Sequence, residues 1–256
     1  MHRFHLPPTA CLGDRLTLTA DEAAHALRVL RLSVGDVVTV LDGAGTEVVC
    51  NIENLSRGAV SLTAVERRTH ERPFTAVMLL QAVTKARSMD VILQKATELG
   101  ATGIVPVLAE RCVPDFTPRE AERKRAKWQA VTVEAMKQCG TAWLPVVHPP
   151  MSLRTVLAEV GRQPDGLALL GDLAPGTESG REMFARQRRS PEWPPRLIRL
   201  WIGPEGDFAP QEYEAIRASG AVSMSFGPRV LRSETAAIYG LSIIAHELQG
   251  EAGAGR

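Results

Sequence analysis

The sequence has few cysteines, no Cys-x-x-Cys pair and no long apolar segment. Its four cysteines, Cys11, Cys50, Cys112 and Cys139, lie far apart, which argues against a zinc site and a disulfide framework. No stretch approaches the roughly 18 uninterrupted apolar residues of a membrane span. The opening residues, MHRFHLPPTACLG, lack an apolar core long enough for a signal peptide. We therefore expect a cytoplasmic protein with no metal and no membrane partner.

Charge of neither sign predominates. The 30 Lys and Arg against 29 Asp and Glu give a formal net charge of +1, which can still hide local basic surface. Basic residues concentrate at Arg28 and Arg31 in HALRVLR, and again at 123–127 in RKRAK. A run like the second is most often the solvated face of a helix. Net charge therefore neither indicates nor excludes a nucleic-acid partner.

The N-terminal part has the pattern of a small β domain. Residues 35–52 are two β-branched runs around an Asp-Gly-Ala-Gly turn, which predicts a hairpin. Residues 59–65 alternate apolar with small polar side chains, as a half-buried strand does. One helix is expected over 21–31. Such short strands favour a small barrel over residues 1–72, and the charged stretch 65–73 resembles a linker.

From residue 73 onward, apolar runs alternate with helical patterns. The predicted strands lie within 74–83, 103–109, 144–149, 166–171, 196–203 and 221–227. The predicted helices cover 89–100, Thr117 to about Cys139, a segment opened by Pro210, and a last segment from near Ser233. Alternation of this kind indicates a mostly parallel α/β sheet with both faces covered. The stretch 174–195, rich in Pro, Gly, Arg and Ser, is predicted to be one long loop.

Three of the predicted strands end at glycine. The segments are LLGDLAPG (169–176), WIGPEGDF (201–208) and SFGPRVLRSE (225–234). Ligands of an open α/β sheet bind beyond the carboxyl ends of its strands, and glycine lets a ligand approach the backbone closely. No G-x-G-x-x-G fingerprint or P-loop is present, which disfavours a Rossmann dehydrogenase. An adenosyl ligand without a pyrophosphate fits these turns better than a dinucleotide. The alternative at any one strand end is that Gly-Pro only terminates the strand before the next helix.

Several motifs follow one another in a fixed order along the whole chain. They include HALRVLR, KARSMDVILQKATELGA (85–101), PVLAERC (106–112), IGPEG (202–206) and FGPRVLRSETA (226–236). Any one of them alone would be weak. As an ordered set they resemble the bacterial 16S ribosomal RNA uridine N3-methyltransferases, a family of the SPOUT class of S-adenosylmethionine enzymes.

The resemblance implies an architecture and a reaction. It implies a PUA-like RNA-binding β-barrel over 1–72, followed by a SPOUT-type α/β methyltransferase domain over 73–256. A trefoil knot is expected within about 166–249, an exception to the usual rule against threaded chains. The implied activity is S-adenosylmethionine-dependent methylation of N3 of a specific uridine in 16S rRNA of the small ribosomal subunit. The implied assembly is a homodimer.

Two positions depart from the family pattern. Thr141 stands where the family usually carries arginine, which weakens an RNA-contact role for that turn. Asp207 stands where the family's GPEGG has its last glycine, which alters the cofactor loop.

The expected site residues follow from the three strand ends and the resemblance together. For the cofactor they are Leu170, Gly171, Ile202, Gly203, Pro204, Glu205, Gly206, Phe226, Gly227, Val230 and Leu231. For RNA they are Arg3, Arg28, Arg31, Lys85 and Arg111. No metal ligand is expected.

The catalytic candidates follow from the chemistry of the implied substrate. Uracil N3 must lose its imide proton while negative charge develops on the ring oxygens, so a preorganised positive charge is needed. Arg232 is the first candidate for that charge and Arg229 the second. Glu234 could accept the proton or hold Arg232. All three could instead belong to a helix N-terminus, with Ser233 as N-cap and Glu234 in the first turn.

Two other functions stay open from the sequence alone. The same knotted class includes RNA ribose 2′-O-methyltransferases, which analysis of the modified nucleoside would separate from base methylation. A non-catalytic RNA-binding protein would also account for the barrel and the basic residues, but it would not bind S-adenosylmethionine.

Overall fold

The chain folds into two compact units. The computed structural model describes residues 1–56, 58–112, 116–160 and 166–249. The first unit comprises Met1–Arg72 together with Val133–Leu144, and the second comprises Pro73–Thr132 and the residues from Pro145 onward. The sequence analysis assigned 133–144 to the second domain, so the grouping differs there.

A buried ion pair helps to hold residues 133–144 within the first unit. The Lys137 ammonium donates to both carboxylate oxygens of Glu22, at 2.9 and 3.2 Å, and both side chains are almost fully buried. Burial opposes the charge on Lys137, but hydrogen bonds to Glu134 and Glu22 outweigh it and raise the pKa of the ammonium. Removing one partner of such a pair leaves an uncompensated buried charge.

The first unit is built on a five-stranded sheet. Its strands are β1 (His2–His5), β2 (Arg15–Thr17), β3 (Val37–Leu41), β4 (Thr46–Ser56) and β5 (Ala59–Thr69), in the order β1-β3-β4-β5-β2. β3 and β4 are antiparallel, which confirms the predicted hairpin. Its turn is fixed by Asp42, whose Oδ1 accepts from the backbone N–H groups of Ala44 and Thr46 at 2.7 and 2.8 Å.

One local prediction for this unit was wrong, and a second was confirmed with a change of helix type. β5 continues to Thr69 and pairs with β4 along its whole length, so 65–69 is strand and not linker, because cross-strand partners offset its charged composition. The helix expected over 21–31 is α1 (Ala20–Ala24), which passes into a π-helical turn over His25–Val29. Arg31 then takes a left-handed φ of 54°, which ends the helical geometry.

The second unit is a parallel sheet with helices on both faces, as predicted. Its strands are β6 (Ala76–Ala82), β7 (Gly103–Leu108), β8 (Val146–Val147), β9 (Met151–Ser152), β10 (Leu167–Gly171), β11 (Leu197–Ile202) and β12 (Val222–Met224). The order is β12-β10-β11-β6-β7-β8, with β9 also on β7, and every pairing is parallel.

The helices of the second unit follow the sequence signals closely. They are α2 (Ala86–Glu98), α3 (Pro118–Cys139, whose last turns belong to the first unit), α4 (Leu153–Val160), α5 (Gly180–Gln187), α6 (Pro210–Ala218) and α7 (Ser233–Gln249). The predicted cap of α3 is confirmed, since Thr117 accepts from the Glu120 N–H and Glu120 accepts from the Thr117 N–H. α4 and β9 were not predicted.

The prediction of one long loop over 174–195 was wrong, because it contains α5. A capping box begins that helix: the Ser179 hydroxyl accepts from the Glu182 N–H, and the Glu182 carboxylate accepts from the Ser179 N–H. The Ser-x-x-Glu signal was present in the sequence, but the surrounding Pro and Gly residues obscured it.

The central strands of this sheet are buried on both faces. Alternate residues of β11 enter opposite cores, with Leu200 on one side and Trp201 on the other. Such strands read as continuous apolar runs. Among the described residues, no helix could cross a membrane and no group of side chains could hold a metal ion. The trefoil knot stays a prediction.

Candidate functional site

A cleft opens at the carboxyl ends of β10, β11 and β12. The three glycine-bearing loops after these strands line it together with the first turn of α7. Its walls are formed by Gly171, Asp172, Leu173, Ile202, Gly203, Pro204, Glu205, Asp207, Tyr213, Phe226, Val230, Leu231, Ser233 and Ala236. This is where ligands of parallel sheets bind.

A buried serine hydroxyl ties the walls of the cleft together. The Ser233 hydroxyl donates to the Gly203 carbonyl at 2.6 Å and accepts from the Gln81 amide at 3.0 Å. The same Gln81 nitrogen donates to the Ala82 carbonyl at 2.9 Å. We call this set, Gln81, Ser233 and Gly203, the Ser233 bridge. It joins the end of β6, the loop after β11 and the start of α7.

The helix expected to start near Ser233 is confirmed, with Glu234 in its first turn, but the alternative in which Ser233 itself is the N-cap does not hold. α7 begins at Ser233, and the carbonyl of Arg232 accepts the first helical N–H, that of Ala236, at 2.8 Å. The serine hydroxyl is therefore committed to the Gly203 carbonyl and the sheet.

The Phe226 ring packs closely against two glycines. A Cβ on Gly171 would lie 2.8 Å from that ring, and a Cβ on Gly240 would lie 3.1 Å from it and 2.8 Å from Leu200. Glycine inside a helix costs about 1 kcal/mol relative to alanine. The close packing of Phe226 and Leu200 explains why α7 nevertheless has glycine at position 240. The sequence analysis missed Gly240, although an isolated glycine in a helical pattern was the available signal.

Asp172 is a buried carboxylate in the wall of the cleft. It accepts from the Arg217 guanidinium and the Ser223 hydroxyl, each at 2.5 Å, and from the Ala174 N–H at 2.9 Å. Burial alone would raise the pKa of this carboxyl, but the hydrogen bonds from Arg217 and Ser223 outweigh it and hold the pKa low. Asp172 is thus ionised and paired, and it fixes the loop after β10 against α6.

Asp207 and Tyr213 fix the loop after β11. Asp207 has a left-handed φ of 63°, and its Oδ1 accepts from the Tyr213 hydroxyl at 2.6 Å and from the Phe208 N–H at 2.9 Å. Burial, followed by the hydrogen bond to Asp207, raises the pKa of the Tyr213 phenol, which therefore stays protonated and donates. A Cβ on Gly203 would lie 3.1 Å from the same oxygen.

The outer side of this loop is also anchored. Glu205 accepts from the Lys85 backbone N–H at 3.2 Å, and the Arg111 guanidinium donates to the Gly206 carbonyl at 2.9 Å. Lys85 and Arg111, both expected to bind RNA, are exposed beside this loop.

Most of the residues expected to bind a cofactor line the cleft. Those that do are Gly171, Ile202, Gly203, Pro204, Glu205, Phe226, Val230 and Leu231, whereas Leu170, Gly206 and Gly227 lie outside its lining. The lining residues that the sequence analysis missed are Asp172, Leu173, Asp207, Tyr213, Ser233 and Ala236. All but Tyr213 are close in sequence to a predicted residue. The three glycine-bearing segments at the strand ends were therefore the available signal for these five residues.

The catalytic candidates lie around the start of α7 and do not line the cleft. Arg229 and Arg232 are exposed, and Glu234 is half-buried in the first helical turn. Over the ranges that the structure describes, none of the three forms an ion pair. Glu234 therefore does not hold Arg232, and both guanidinium groups are available to a ligand.

The residues of the first unit that were expected to bind RNA differ in whether their side chains already have a partner within the protein. The Arg3 guanidinium donates to the carbonyls of Lys137 and Gln138 at 3.3 and 3.1 Å, where it satisfies the C-terminal end of α3. Arg28 and Arg31 are exposed at the π-helical turn. These two side chains, unlike Arg3, are therefore available to a partner.

The Ser233 bridge is open to a direct stability test. We expect Ser233→Ala to lower the free energy of unfolding by about 1–3 kcal/mol, because the buried Gln81 amide loses one of its two acceptors and the Gly203 carbonyl loses its donor. Chemical denaturation measures this. Ser242→Ala is the control, since that hydroxyl donates only to a carbonyl of its own helix, Ile238, and its loss should cost much less. Equal effects of the two changes would contradict the assigned role.

Two family models match the chain. The model for the RNA methyltransferase domain matches residues 70–245, and the model for the RNA methyltransferase PUA domain matches residues 18–65. The first match covers the cleft and all seven strands of the parallel sheet. The second covers the hairpin of the first unit.

Curated relatives and solved structures agree with these matches. The ribosomal RNA small subunit methyltransferase E of Mycobacterium bovis is 30% identical over 94% of this chain and 90% of its own length. That of Bacillus subtilis is 28% identical over 91% and 90%.

Among solved structures, a Legionella pneumophila methyltransferase in complex with its bound cofactor SAM gives a TM-score of 0.84 at 29% identity, over 98% of each chain. The Neisseria gonorrhoeae ribosomal RNA small subunit methyltransferase E bound to S-adenosyl methionine gives 0.83 at 27% identity, over 96% of this chain and 97% of that one. The fold is therefore a PUA domain followed by an α/β methyltransferase domain, and the chain belongs to the RNA methyltransferase family.

Proposed function

We propose that the protein transfers the methyl group of S-adenosylmethionine to N3 of a uridine in 16S rRNA of the small ribosomal subunit. Membership of the RNA methyltransferase family supports methyl transfer to RNA. The names of the curated relatives support the small-subunit rRNA as substrate. The observation that carries the proposal is the single cleft lined by all three glycine-bearing strand ends.

The cleft fits an adenosyl cofactor that carries positive charge. Ile202, Phe226 and Leu231 give it apolar walls, and glycine backbone lies beside them. Among the described residues no Lys, Arg or His lines the cleft, so it offers no charged partner for a pyrophosphate. We propose the lining residues as the cofactor contacts. Leu170, Gly206 and Gly227 would support the loops from outside.

The chain's own residues must orient the base and stabilise its charge. When bound, S-adenosylmethionine supplies an electrophilic methyl group, so no metal is required. Uracil N3 lies on the Watson–Crick edge, so the target uridine must be unpaired when it enters. As N3 loses its proton, charge spreads to the ring oxygens, and a fixed cation beside them lowers the barrier.

Arg232 is the residue proposed to stabilise that charge, with Arg229 as second candidate. Arg232 directly precedes Ser233, which lines the cleft, and its guanidinium is exposed. Glu234 is proposed as the proton acceptor. Arg28, Arg31, Lys85 and Arg111 are proposed as RNA contacts. Arg3 is already bonded to backbone, and we now assign it a structural role.

The reaction is tested by nucleoside analysis. 16S rRNA and small subunits from a strain lacking the corresponding methylation would be incubated with the protein and S-adenosylmethionine, then digested for mass spectrometry. N3-methyluridine at one position is the expected product. A 2′-O-methyl nucleoside would support the ribose alternative, and cofactor binding without any product would support a non-catalytic role.

Gly203 allows a direct test of the cofactor site. We expect Gly203→Val to weaken S-adenosylmethionine binding by a factor of about ten to a hundred, because overpacking against Asp207 and Phe208 costs about 1–3 kcal/mol. Calorimetry measures the affinity. Gly13→Val is the matched control, since Gly13 lies outside the cleft and a Cβ there meets nothing closer than 3.9 Å. Wild-type affinity in the Gly203 variant would place the cofactor elsewhere.

Arg232 allows a test of catalysis separate from binding. Arg232→Ala should lower turnover by a factor of about a hundred, while cofactor affinity stays near that of the wild type. Arg232→Lys, which keeps the charge, should recover part of the loss. Turnover within a few-fold of the wild type would move the role to Arg229 or to backbone.

The proposed homodimer rests on exposed apolar side chains beside the cleft. Leu173, Val230 and Tyr239 are 50%, 82% and 46% exposed, and burial in a partner would remove them from water. Light scattering should give twice the 27.8 kDa of one chain, and Val230→Asp should shift the mass toward the monomer. A monomeric wild type at micromolar concentration would contradict this proposal.

A further inference from the structure

The loop after β11 carries two carboxylates at the cleft that no cation neutralises. Glu205 and Asp207 both line the cleft. Within 1–56, 58–112, 116–160 and 166–249, neither forms an ion pair. The third carboxylate of the cleft, Asp172, differs because it is paired with Arg217 at 2.5 Å. Two carboxylates without an ion-pair partner thus remain on one loop, whose Gly206 carbonyl accepts from the Arg111 guanidinium.

The Asp207 carboxylate is held in place without being neutralised. Both donors to its Oδ1, the Tyr213 hydroxyl and the Phe208 N–H, are uncharged. They fix the position of the carboxylate and leave its negative charge intact. Asp207 also holds a left-handed φ of 63°, a conformation that glycine adopts freely and that Asp and Asn tolerate better than most other residues. A glycine would satisfy the backbone but would bring no charge.

Such a carboxylate distinguishes ligands by their charge at sulfur. S-adenosylmethionine has a sulfonium and therefore one more positive charge than S-adenosylhomocysteine, the thioether left after methyl transfer. No basic side chain of the described residues lines the cleft, and the Arg111 and Arg217 guanidinium groups beside it are bonded to the Gly206 carbonyl and to Asp172. The carboxylates of the lining therefore attract the sulfonium more than the thioether. In the proposed transfer, the methyl carbon would bond to N3, sulfur would keep the electron pair of the broken C–S bond, and the N3 proton would pass to the proposed acceptor, Glu234.

We propose that Asp207 is a specificity-determining residue, whose charge makes the cleft favour the sulfonium cofactor over its thioether product. The inference rests on the proposed function and adds to it a means of product release. Once the sulfonium is gone, the attraction ends, and the spent cofactor leaves more readily than the fresh one.

The test is calorimetric titration of the full-length protein with S-adenosylmethionine and, separately, S-adenosylhomocysteine. Asp207→Asn is the decisive variant, because an Asn Oδ1 can accept the same two hydrogen bonds and Asn tolerates the same φ. We expect this variant to bind S-adenosylmethionine about three- to tenfold more weakly. Its affinity for S-adenosylhomocysteine should stay within about twofold of the wild type.

Three further measurements separate charge from structure. Tyr213→Phe removes the hydrogen bond and keeps the charge, so it should leave the ratio of the two affinities unchanged. Glu214→Gln removes an exposed carboxylate of α6 that lies outside the cleft lining, and it should change neither affinity. Added salt should reduce the preference of the wild type for the sulfonium ligand more than that of Asp207→Asn.

Two results would overturn the inference. Equal weakening of both ligands in Asp207→Asn would show that the residue only anchors the loop. Unchanged affinities would show that its charge does not act on the ligand. A wild type that binds neither ligand would defeat the proposed function itself. A wild type that binds both, with a ratio indifferent to Asp207, would defeat this inference alone.

Discussion

The cleft depends on one buried serine hydroxyl. Ser233 receives a hydrogen bond from Gln81 at the end of a central strand and donates one to the Gly203 carbonyl in the loop after β11. The bond from Gln81 is buried, so its loss would leave part of that amide without an acceptor, whereas the bond to Gly203 is part-buried at the cleft. The start of α7 is thereby fixed to the sheet, and with it the segment 226–232 that closes the cleft. The glycines permit close packing at this point, but the serine specifies where the segments meet.

Charge is distributed so that the cleft and its surroundings suit different ligands. The cleft wall contains carboxylates and no basic side chain among the described residues. Arginines occur outside it, at Arg229 and Arg232 before α7 and at Arg111 beside the Gly206 carbonyl. A cationic adenosyl cofactor and a polyanionic RNA can therefore be bound next to each other without competing for the same groups. In general, arginine contacts to phosphate position RNA but do not read its sequence.

The sequence predicted the parallel sheet, most of its helices and the convergence of three strand ends. These are local signals: buried strands read as apolar runs, and caps such as Thr117 and Glu120 lie within one turn of each other. The grouping of 133–144 with the first unit was not predictable in this way. It rests on long-range contacts such as the Lys137–Glu22 pair, whose partners are 115 residues apart in the chain, and the hydrogen bonds from Arg3 to the end of α3.

The candidate site shows the same division between local and distant determinants. Asp172 and Asp207 were not predicted to line the cleft although each adjoins a predicted residue, because glycine at a strand end indicates close approach of backbone and carries no information about a neighbouring carboxylate. Tyr213 lies one turn inside α6, and only the folded chain shows its hydrogen bond to Asp207. The role of Ser233 was not predicted, since a serine at the start of a helical pattern suggests a cap as one alternative, and its bond to Gly203 spans 30 residues.

The most direct test of the account is a crystal structure of the protein with S-adenosylmethionine. The account predicts that the ligand contacts the loops after β10, β11 and β12 together, with its adenine between Ile202, Phe226 and Leu231 and its sulfonium near Asp207. It also predicts that the Ser233 bridge is unchanged. A ligand bound away from these three loops, or held by basic side chains, would contradict the central claim.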